Sequence, residues 1–177
     1  MVKGEGGIDT SSLDTIYQSY VRDVYRYLRS LCDDHHAAED LTQETFYRAY
    51  LYLEDCREDK IKPWLFRVAY NAYVDYKRKE SRSSLQQPDF FQNLAHTDTP
   101  ENNVLRQEAR DELVQSLTGL PENQRQAILL YDFNQFSYQE AAAIMGVSLS
   151  HFKVLLFRAR QRLRQTNERM GKHERGI

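Results

Sequence analysis

The sequence predicts an all-α protein made of two small helical domains joined by a flexible linker. Apolar residues recur every three or four positions in both halves of the chain, which is the spacing of one buried helix face. Between these halves, residues 81–103 are rich in Ser, Gln, Asp and Asn and contain Pro88 and Pro100, a composition typical of a linker. No alternating strand pattern and no internal repeat occurs, so we predict domains at residues 10–80 and 104–168.

Three helices are predicted in the first domain. Ser11, with Asp14, is expected to cap the first helix, and Asp34 is expected to cap the second. Pro63 fits the first turn of the third helix, where its missing N–H costs nothing, and this helix is expected to end near Lys79. The residues expected on the inner sides of the three helices are Ile16, Tyr20, Val24, Tyr27, Leu28 and Leu31, then Ala38, Leu41, Thr45, Ala49 and Leu53, then Leu65, Val68, Ala72 and Tyr76.

The ends of the first two helices of the second domain are marked by glycine and proline. Gly119 is expected to end the first helix, and Pro121 begins the second, because a first helical residue has no internal partner for its N–H. The expected inner residues are Leu105, Ala109, Leu113 and Leu117, then Ala127, Ile128, Leu130 and Tyr131.

Residues 136–164 follow the pattern of a helix-turn-helix. Ser137 and Glu140 form a capping box that opens a short helix, Gly146 permits the sharp reversal after it, and Ser148 can cap the last helix. The expected inner residues of that last helix are Phe152, Leu156, Ala159 and Leu163. A helix in the major groove reads bases mainly with its N-terminal residues, so we predict DNA binding at this end. The predicted DNA-contacting residues are Ser150, His151, Lys153, Val154, Phe157 and Arg158.

The third predicted helix carries a second polar face. Its members, spaced by four, four and three positions, are Arg67, Asn71, Asp75 and Arg78. Asn and Asp are poor helix formers, but they offer donors and acceptors to the edge of a base. Tyr70, Tyr73 and Tyr76 either add aromatic surface on which unpaired bases stack, or pack in the core or at its edge.

The second predicted helix has acidic and amide residues on its outer side. These are Asp40, Gln43 and Glu44, together with Tyr47. Their chemistry favours a basic or polar protein partner over DNA, and an ordinary solvated helix face explains them equally well.

Charge alternates along the chain although the net charge is only −2. Residues 61–82 carry six basic and two acidic side chains, and residues 123–177 carry nine and four. Residues 1–60 and 83–122 have an acidic excess instead. Two basic blocks separated by acidic ones indicate two DNA contacts, the alternative being chance variation among solvated helices.

Composition argues against a membrane span, a metal site and a cofactor. The chain of 177 residues has no apolar run near the roughly 20 residues that cross a bilayer, and no signal-peptide stretch at its start, so we expect a cytoplasmic protein. Cys32, His35 and His36 are close in sequence, but adjacent helical histidines point in different directions and no fourth ligand is near. We predict a buried thiol and two exposed imidazoles, no metal and no cofactor.

These motifs together resemble the extracytoplasmic-function (ECF) group of the sigma-70 family. The run AEDLTQETFYRAY (38–50) is similar to sigma region 2.2, and KPWLFRVAYNAYVDYKRK (62–79) is similar to regions 2.3 and 2.4. The run LPENQRQAILL (120–130) and the helix-turn-helix resemble region 4. The motifs span residues 12–166 in the family's order, which is more specific than any one of them.

The resemblance implies an RNA polymerase sigma factor that directs the core enzyme to promoters. Asp40, Gln43 and Glu44 then match residues that dock on the clamp helices of the largest polymerase subunit. Asn71, with the loop at residues 54–61, matches the part that opens the minus-ten element and captures a flipped base. The last helix matches the reader of the minus-thirty-five element.

The resemblance also implies further partners. Region 4 would contact the flap of the second-largest polymerase subunit, and the linker would thread through the polymerase. An anti-sigma factor, often membrane-bound, would cover both domains. We expect no homo-oligomer.

One part of the sequence departs from the family pattern. The family's recognition helix opens with a run like Thr-Val-Lys-Ser-Arg, whereas residues 151–155 are His-Phe-Lys-Val-Leu. Val154 can contact a thymine methyl group, but the promoter sequence cannot be carried over from the family.

Other classes of protein fit less well. A helix-turn-helix regulator that never becomes a polymerase subunit is the main alternative. An anti-sigma or adaptor protein is disfavoured because the zinc-binding H-x-x-x-C-x-x-C pattern is missing. We predict no enzyme, since the sequence has no phosphate-binding glycine loop and no G-x-S-x-G elbow.

Overall fold

A computed structural model describes residues 10–32, 34–52, 60–84 and 116–173 of the chain. The helices are α1 (Thr10–Arg29), α2 (His35–Tyr52), α3 (Ile61–Ser84), α4 (Glu122–Ile128), α5 (Tyr138–Met145) and α6 (Leu149–His173), with a π-helical turn (Leu129–Phe133) after α4. The described ranges contain no strand, and the all-α class is confirmed.

Helices α1, α2 and α3 pack pairwise into the first unit. The predicted inner residues are buried in it, except that Tyr20, Val68 and Tyr76 are half-buried and Leu53 lies outside the described residues. Two buried threonines of α2 satisfy their hydroxyl groups locally, because Thr42 donates to the Ala38 carbonyl and Thr45 to that of Leu41, each at 2.7 Å.

The ends of these helices differ in part from the predictions. Asp34 caps α2 as predicted, accepting hydrogen bonds from the backbone N–H groups of His36 and Ala37 at 3.2 and 3.3 Å. The prediction for Ser11 was wrong, because α1 already includes Thr10. Helix α3 continues past Lys79 to Ser84, since Lys, Arg and Glu are good helix formers and neither Gly nor Pro interrupts this stretch.

The second unit consists of α4, α5 and α6. Pro121 is the N-cap of α4, which begins at Glu122, one residue later than predicted, and Leu117 is buried. The remaining residues of the predicted first stripe (105, 109 and 113) lie outside the described residues. Helix α6 packs on both α4 and α5. Its predicted inner residues Phe152, Leu156 and Ala159 are buried, and Leu163 is half-buried.

The helix-turn-helix is present with the predicted caps. Ser137 accepts from the Glu140 N–H at 3.1 Å, while the Glu140 carboxylate accepts from the Ser137 N–H at 2.9 Å. Gly146 follows α5 at φ 67°, in the left-handed region. Ser148 accepts from the His151 N–H at 3.1 Å and caps α6. The axes of α5 and α6 are bent by 98°, within the range of helix-turn-helix motifs.

A π-helical turn between α4 and α5 was not predicted. Asn134 closes it by donating to the Leu129 carbonyl from both its backbone N–H (3.1 Å) and its side chain (2.8 Å). Gln135 then adopts φ 58°, the only positive φ of a non-glycine residue within the described ranges. Phe136 follows at once and is buried, so this irregular segment directs an aromatic ring inward.

The two units contact each other directly through α3 and α5. Phe66 of α3 and Phe136 meet edge to face with ring centroids 4.9 Å apart, and both are buried. Tyr27 of α1 donates a 2.5 Å hydrogen bond to Gln126 Oε1 of α4. The sequence predicted two joined domains but gave no indication of this contact.

No single helix within the described residues is long and apolar enough to cross a membrane. Helices α5 and α6 reach the required length and apolar composition only when they are taken together, and their axes are bent by 98° relative to each other. Both of these helices contribute buried residues to the core of the second unit.

We predict that Gly146→Ala lowers the free energy of unfolding by roughly 1–2 kcal/mol, because an alanine at this φ is strained. A Cβ at residue 146 would have no heavy atom within 4 Å, so steric overlap adds nothing. Gly119→Ala is the matched control, because a Cβ there meets only the Ser116 carbonyl oxygen at 3.8 Å and its φ is not positive. Urea unfolding measures both variants, and equal stability of the two would contradict the strain at Gly146.

Candidate functional site

The outer face of α2 is accessible as predicted. Asp40, Gln43 and Tyr47 are exposed, and 61% of the Tyr47 surface is accessible to solvent. Glu44 is half-buried. Tyr50, Leu51 and Tyr52 continue an exposed apolar surface to the end of the helix. The α2 face thus combines acidic, amide and aromatic groups, as protein interfaces commonly do.

Arg48 joins the α2 face to the polar face of α3. Its Nε donates to Glu44 Oε1 at 2.7 Å, and its NH1 group donates to Asp75 Oδ2 at 3.1 Å. The hydrogen bond to Glu44 is the main reason that the pKa of Arg48 is raised. The sequence analysis missed Arg48, although its position four residues after Glu44 is the spacing of a helical ion pair.

The polar face of α3 is assembled as predicted, but its members differ in their partners. Arg67, Asn71 and Arg78 are exposed, whereas Asp75 is half-buried. The Asp75 carboxylate lies between two guanidinium groups. Arg48 contacts its Oδ2 atom, and Arg78 NH1 is 3.9 Å from its Oδ1 atom. This pairing neutralises the carboxylate and leaves the face with a net basic character that suits DNA.

The tyrosines of α3 divide between core and surface. Tyr73 is only 1% exposed and its hydroxyl donates to the Leu31 carbonyl at 3.4 Å, so it is a core residue and cannot stack on a base. Tyr70 and Tyr76 are half-buried. Burial raises the pKa of both hydroxyl groups.

All six predicted reading residues of α6 (Ser150, His151, Lys153, Val154, Phe157 and Arg158) are exposed. The exposed fraction is 68% for Phe157 and 43% for Val154. These are large values for apolar side chains and indicate a surface that binds a partner. Of the run 151–155 that departs from the family pattern, Phe152 and Leu155 are buried. Only three residues of this run therefore remain available for DNA.

A stack of aromatic and basic side chains lies beside this reading face. The rings of Tyr131 and Tyr138 are nearly parallel, with centroids 4.6 Å apart. Lys153 lies over Tyr138 at 5.7 Å, and Arg160 lies over Tyr131 at 5.3 Å. Arg160 also pairs with Asp132 at 2.5 Å. Tyr138, Lys153 and Arg160 line a groove of about 520 Å³ to which Arg164 also contributes. The groove adds a second basic surface that the sequence did not reveal.

The histidines at the start of α2 have protein partners. His35 Nδ1 is 2.5 Å from the Tyr25 hydroxyl, and its Nε2 is 3.1 Å from Glu39 Oε1. His36 Nδ1 is 3.8 Å from Glu39 Oε2, and Cys32 is buried. Within the described ranges, no group of three or more His, Cys, Asp or Glu residues is placed to hold a metal ion.

We predict that Arg48 and Asp75 are energetically coupled. A double-mutant cycle of Arg48→Ala and Asp75→Ala should give a coupling free energy of about 0.5–1 kcal/mol, since both groups are partly exposed. Urea unfolding of the wild type, the two single variants and the double variant measures it. Additive effects of the two substitutions on the free energy of unfolding, within about 0.3 kcal/mol, would show that this ion pair does not couple α2 to α3.

Two family models match the two units of the fold. The Sigma-70 region 2 model matches residues 16–83, which include most of α1 and nearly all of α3. The Sigma-70, region 4 model matches residues 110–163, which include α4, α5 and the first part of α6. The faces on α2 and α3 therefore lie in region 2, and the reading face of α6 lies in region 4.

This chain is similar to known sigma factors over most of its length. The chain is 44% identical over 157 residues to the ECF RNA polymerase sigma factor SigM of Bacillus subtilis (strain 168), covering 86% of this chain and 93% of that protein. It is 28% identical over 167 residues to the RNA polymerase sigma factor YlaC of the same organism, covering 93% and 96%.

Among solved structures, the fold is similar to the sigma factor RpoE of Bartonella quintana, crystallised in complex with the anti-sigma factor NepR. The TM-score is 0.75 at 26% identity, and the match covers 89% of this chain and 97% of that one. The chain therefore belongs to the ECF sigma factors of the sigma-70 family, the RNA polymerase subunits that initiate transcription at specific promoters.

Proposed function

We propose that this sigma factor divides promoter recognition among three exposed faces, one each on α2, α3 and α6. Each face lies opposite a buried stripe of the same helix, so packing holds its side chains in place. The ordered exposed face of each helix is the observation that carries the proposal. A helix that serves only the fold needs an apolar face toward the core and no defined set of side chains on its exposed side.

The α2 face docks on core RNA polymerase. Asp40, Gln43 and Tyr47 present an acidic, amide and aromatic surface that suits a basic or polar protein partner, namely the clamp helices of the largest subunit. Glu44 shares this role while bonded to Arg48. Because Glu44 is already paired, Asp40 is the more direct probe of docking.

The α3 face opens the minus-ten element. Arg67 and Arg78 hold phosphates, and the exposed amide of Asn71 offers a donor and an acceptor to a base displaced from the duplex. Asp75 is neutralised by Arg48 and positions these groups rather than contacting DNA itself. The predicted loop at 54–61 falls almost wholly outside the described residues, so the proposal rests on α3.

The α6 face reads the minus-thirty-five element. Ser150, His151 and Lys153 lie in the first turns of α6, the end of a recognition helix that contacts base edges. Val154 and Phe157 offer apolar contact to thymine methyl groups, and Arg158 holds phosphate or guanine.

An anti-sigma factor regulates this chain in the cytoplasm. The similarity to a sigma factor that was crystallised with its anti-sigma factor supports such a partner. That inhibitor is anchored in the membrane, while region 4 binds the polymerase flap when the inhibitor is absent. The chain itself has no catalytic role, carries no cofactor and acts as a single copy. The linker predicted at residues 81–103 begins later than its first residue, because α3 extends the first domain to Ser84, and it leads to the second domain predicted at residues 104–168.

Run-off transcription tests the proposal against the alternative of a regulator that never joins polymerase. Core polymerase is incubated with a fragmented genomic library, with and without the protein. Discrete new transcripts that depend on the protein are expected, and they reveal both promoter elements. Sequence-specific DNA binding by the free protein, without polymerase binding or new transcripts, would support the alternative.

We predict that Asp40→Ala weakens binding to core polymerase by about fivefold to fiftyfold, the range for one charged contact at an interface. The fold should be unchanged, because Asp40 is exposed and pairs with no cation within the described part of the chain. Asp14→Ala, which removes an exposed carboxylate from α1, is the matched control. Equal affinities of the two variants would remove Asp40 from the docking surface.

We predict that Asn71→Ala slows promoter opening at least tenfold while polymerase affinity changes less than twofold, because its amide acts only after docking. Permanganate reactivity of unpaired thymines measures opening, and Asn123→Ala on α4 controls for loss of an exposed amide. Equal losses of opening and of polymerase binding would instead assign Asn71 a structural role.

A further inference from the structure

Two tyrosine rings and two cations form a series of contacts beside the reading face of α6. Tyr131 belongs to the π-helical turn and Tyr138 is the first residue of α5, and their rings are 4.6 Å apart and only 12° from parallel. The Lys153 ammonium lies over the Tyr138 ring, and the Arg160 guanidinium lies over the Tyr131 ring. The order of these groups is therefore cation, ring, ring, cation.

The two cations differ in what else they contact. The Arg160 guanidinium donates to the Asp132 carboxylate, with the closer nitrogen at 2.5 Å, so the protein itself already balances this charge. Lys153 is exposed and forms no ion pair with any residue that the structure describes. The charge of Lys153 is therefore available to DNA, while the ring of Tyr138 restricts where it lies.

A lysine that reads a base has to be held in place. On an open helix surface its side chain samples many rotamers, and ordering it on binding costs conformational entropy. A loosely held ammonium also follows any nearby phosphate, and phosphate contacts carry no sequence information. An aromatic face that attracts the ammonium lowers the entropic cost and confines the charge to one part of the reading surface.

The ring that holds Lys153 is itself anchored to the fold. Ser137, the N-cap of α5, fixes the backbone directly before Tyr138. The Tyr138 ring lies 6.3 Å from the ring of Phe152, which is fully buried in the core. Tyr131 stacks on the same ring from the π-helical turn. The unpredicted π-helical turn thus supplies a rigid backing for a group beside the recognition helix.

We propose that Tyr138 is a positioning residue for promoter reading. The face of its ring, backed by Tyr131, holds the Lys153 ammonium where it donates to acceptor atoms on a base edge of the minus-thirty-five element. Arg160 and Asp132 keep the Tyr131 ring in place and do not contact bases. This inference deepens the proposed function of the α6 face and rests on it.

The test compares the promoter selectivity of full-length variants bound to core polymerase. Selectivity is the ratio of two affinities, one for a promoter found by run-off transcription and one for the same promoter with its minus-thirty-five element scrambled. Tyr138→Leu removes the ring face, and the ratio should fall about twofold to fivefold, the range for one exposed cation–π contact. Tyr138→Phe keeps the ring face and should retain the wild-type ratio. Tyr17→Leu, which removes an exposed tyrosine from α1, is the matched control.

Variants of Lys153 separate positioning from a purely structural role. Lys153→Ala alone should lower the ratio about tenfold, as expected for a lost base contact. In the Lys153→Ala background, Tyr138→Leu should have no further effect, because the ring then has no ammonium to hold. If Tyr138→Leu loses its fold by circular dichroism, Tyr131→Leu takes its place. It removes only the backing ring, and it should lower the ratio only while Lys153 is present.

Each outcome decides a separate point. An unchanged ratio for Tyr138→Leu, or an equal fall in the Lys153→Ala background, would overturn positioning by the ring and leave the reading function of Lys153 intact. Equal falls for Tyr138→Phe and Tyr138→Leu would assign the effect to the hydroxyl group, which also overturns the proposal. If Lys153→Ala keeps the wild-type ratio, Lys153 does not read the element, and both the proposal and this part of the proposed function fail.

Discussion

Burial of the Phe66 ring is the interaction on which the arrangement of this molecule depends. The ring is fully buried, lies 5.2 Å from Tyr27 in its own unit and 4.9 Å from Phe136 in the other, and so belongs to both cores at once. Its position fixes the rotation of α3, and the rotation of α3 decides that Arg67 and Asn71 face solvent. Hydrophobic packing thus orients the polar groups that we assign to promoter opening, without contributing chemistry of its own.

Electrostatics connects the two faces of region 2. Arg48 reaches from α2 to Asp75 of α3 while it holds Glu44, so a single side chain lies between the face assigned to polymerase and the face assigned to DNA. A carboxylate on a DNA-binding face would ordinarily repel phosphates, and its pairing with Arg48 removes that penalty. The acidic excess of residues 1–60 and the basic excess of residues 61–82 fit the proposed function, in which two neighbouring partners have opposite charge.

The sequence predicted what is governed by local rules. Helical periodicity, the cap at Asp34, the capping box at Ser137 and the reversal at Gly146 depend on neighbours within one or two turns, and all are confirmed. The burial of Tyr73 and the bridge at Arg48 depend on which helices meet, so spacing alone left them open or missed them. The π-helical turn before Phe136 and the contact between the units depend on packing across about 70 residues of chain, which no local pattern encodes.

In the free chain the two units pack together through Phe66 and Phe136, whereas the proposed function places faces of both units on one promoter. Spin labels at Ser19 of α1 and Gln165 of α6, both exposed and outside the proposed contact surfaces, report the distance between the units by pulsed electron paramagnetic resonance. We predict a single short distance in the free protein and one that is longer by tens of ångströms in the complex with polymerase and promoter DNA. The same distance in both states would contradict the claim.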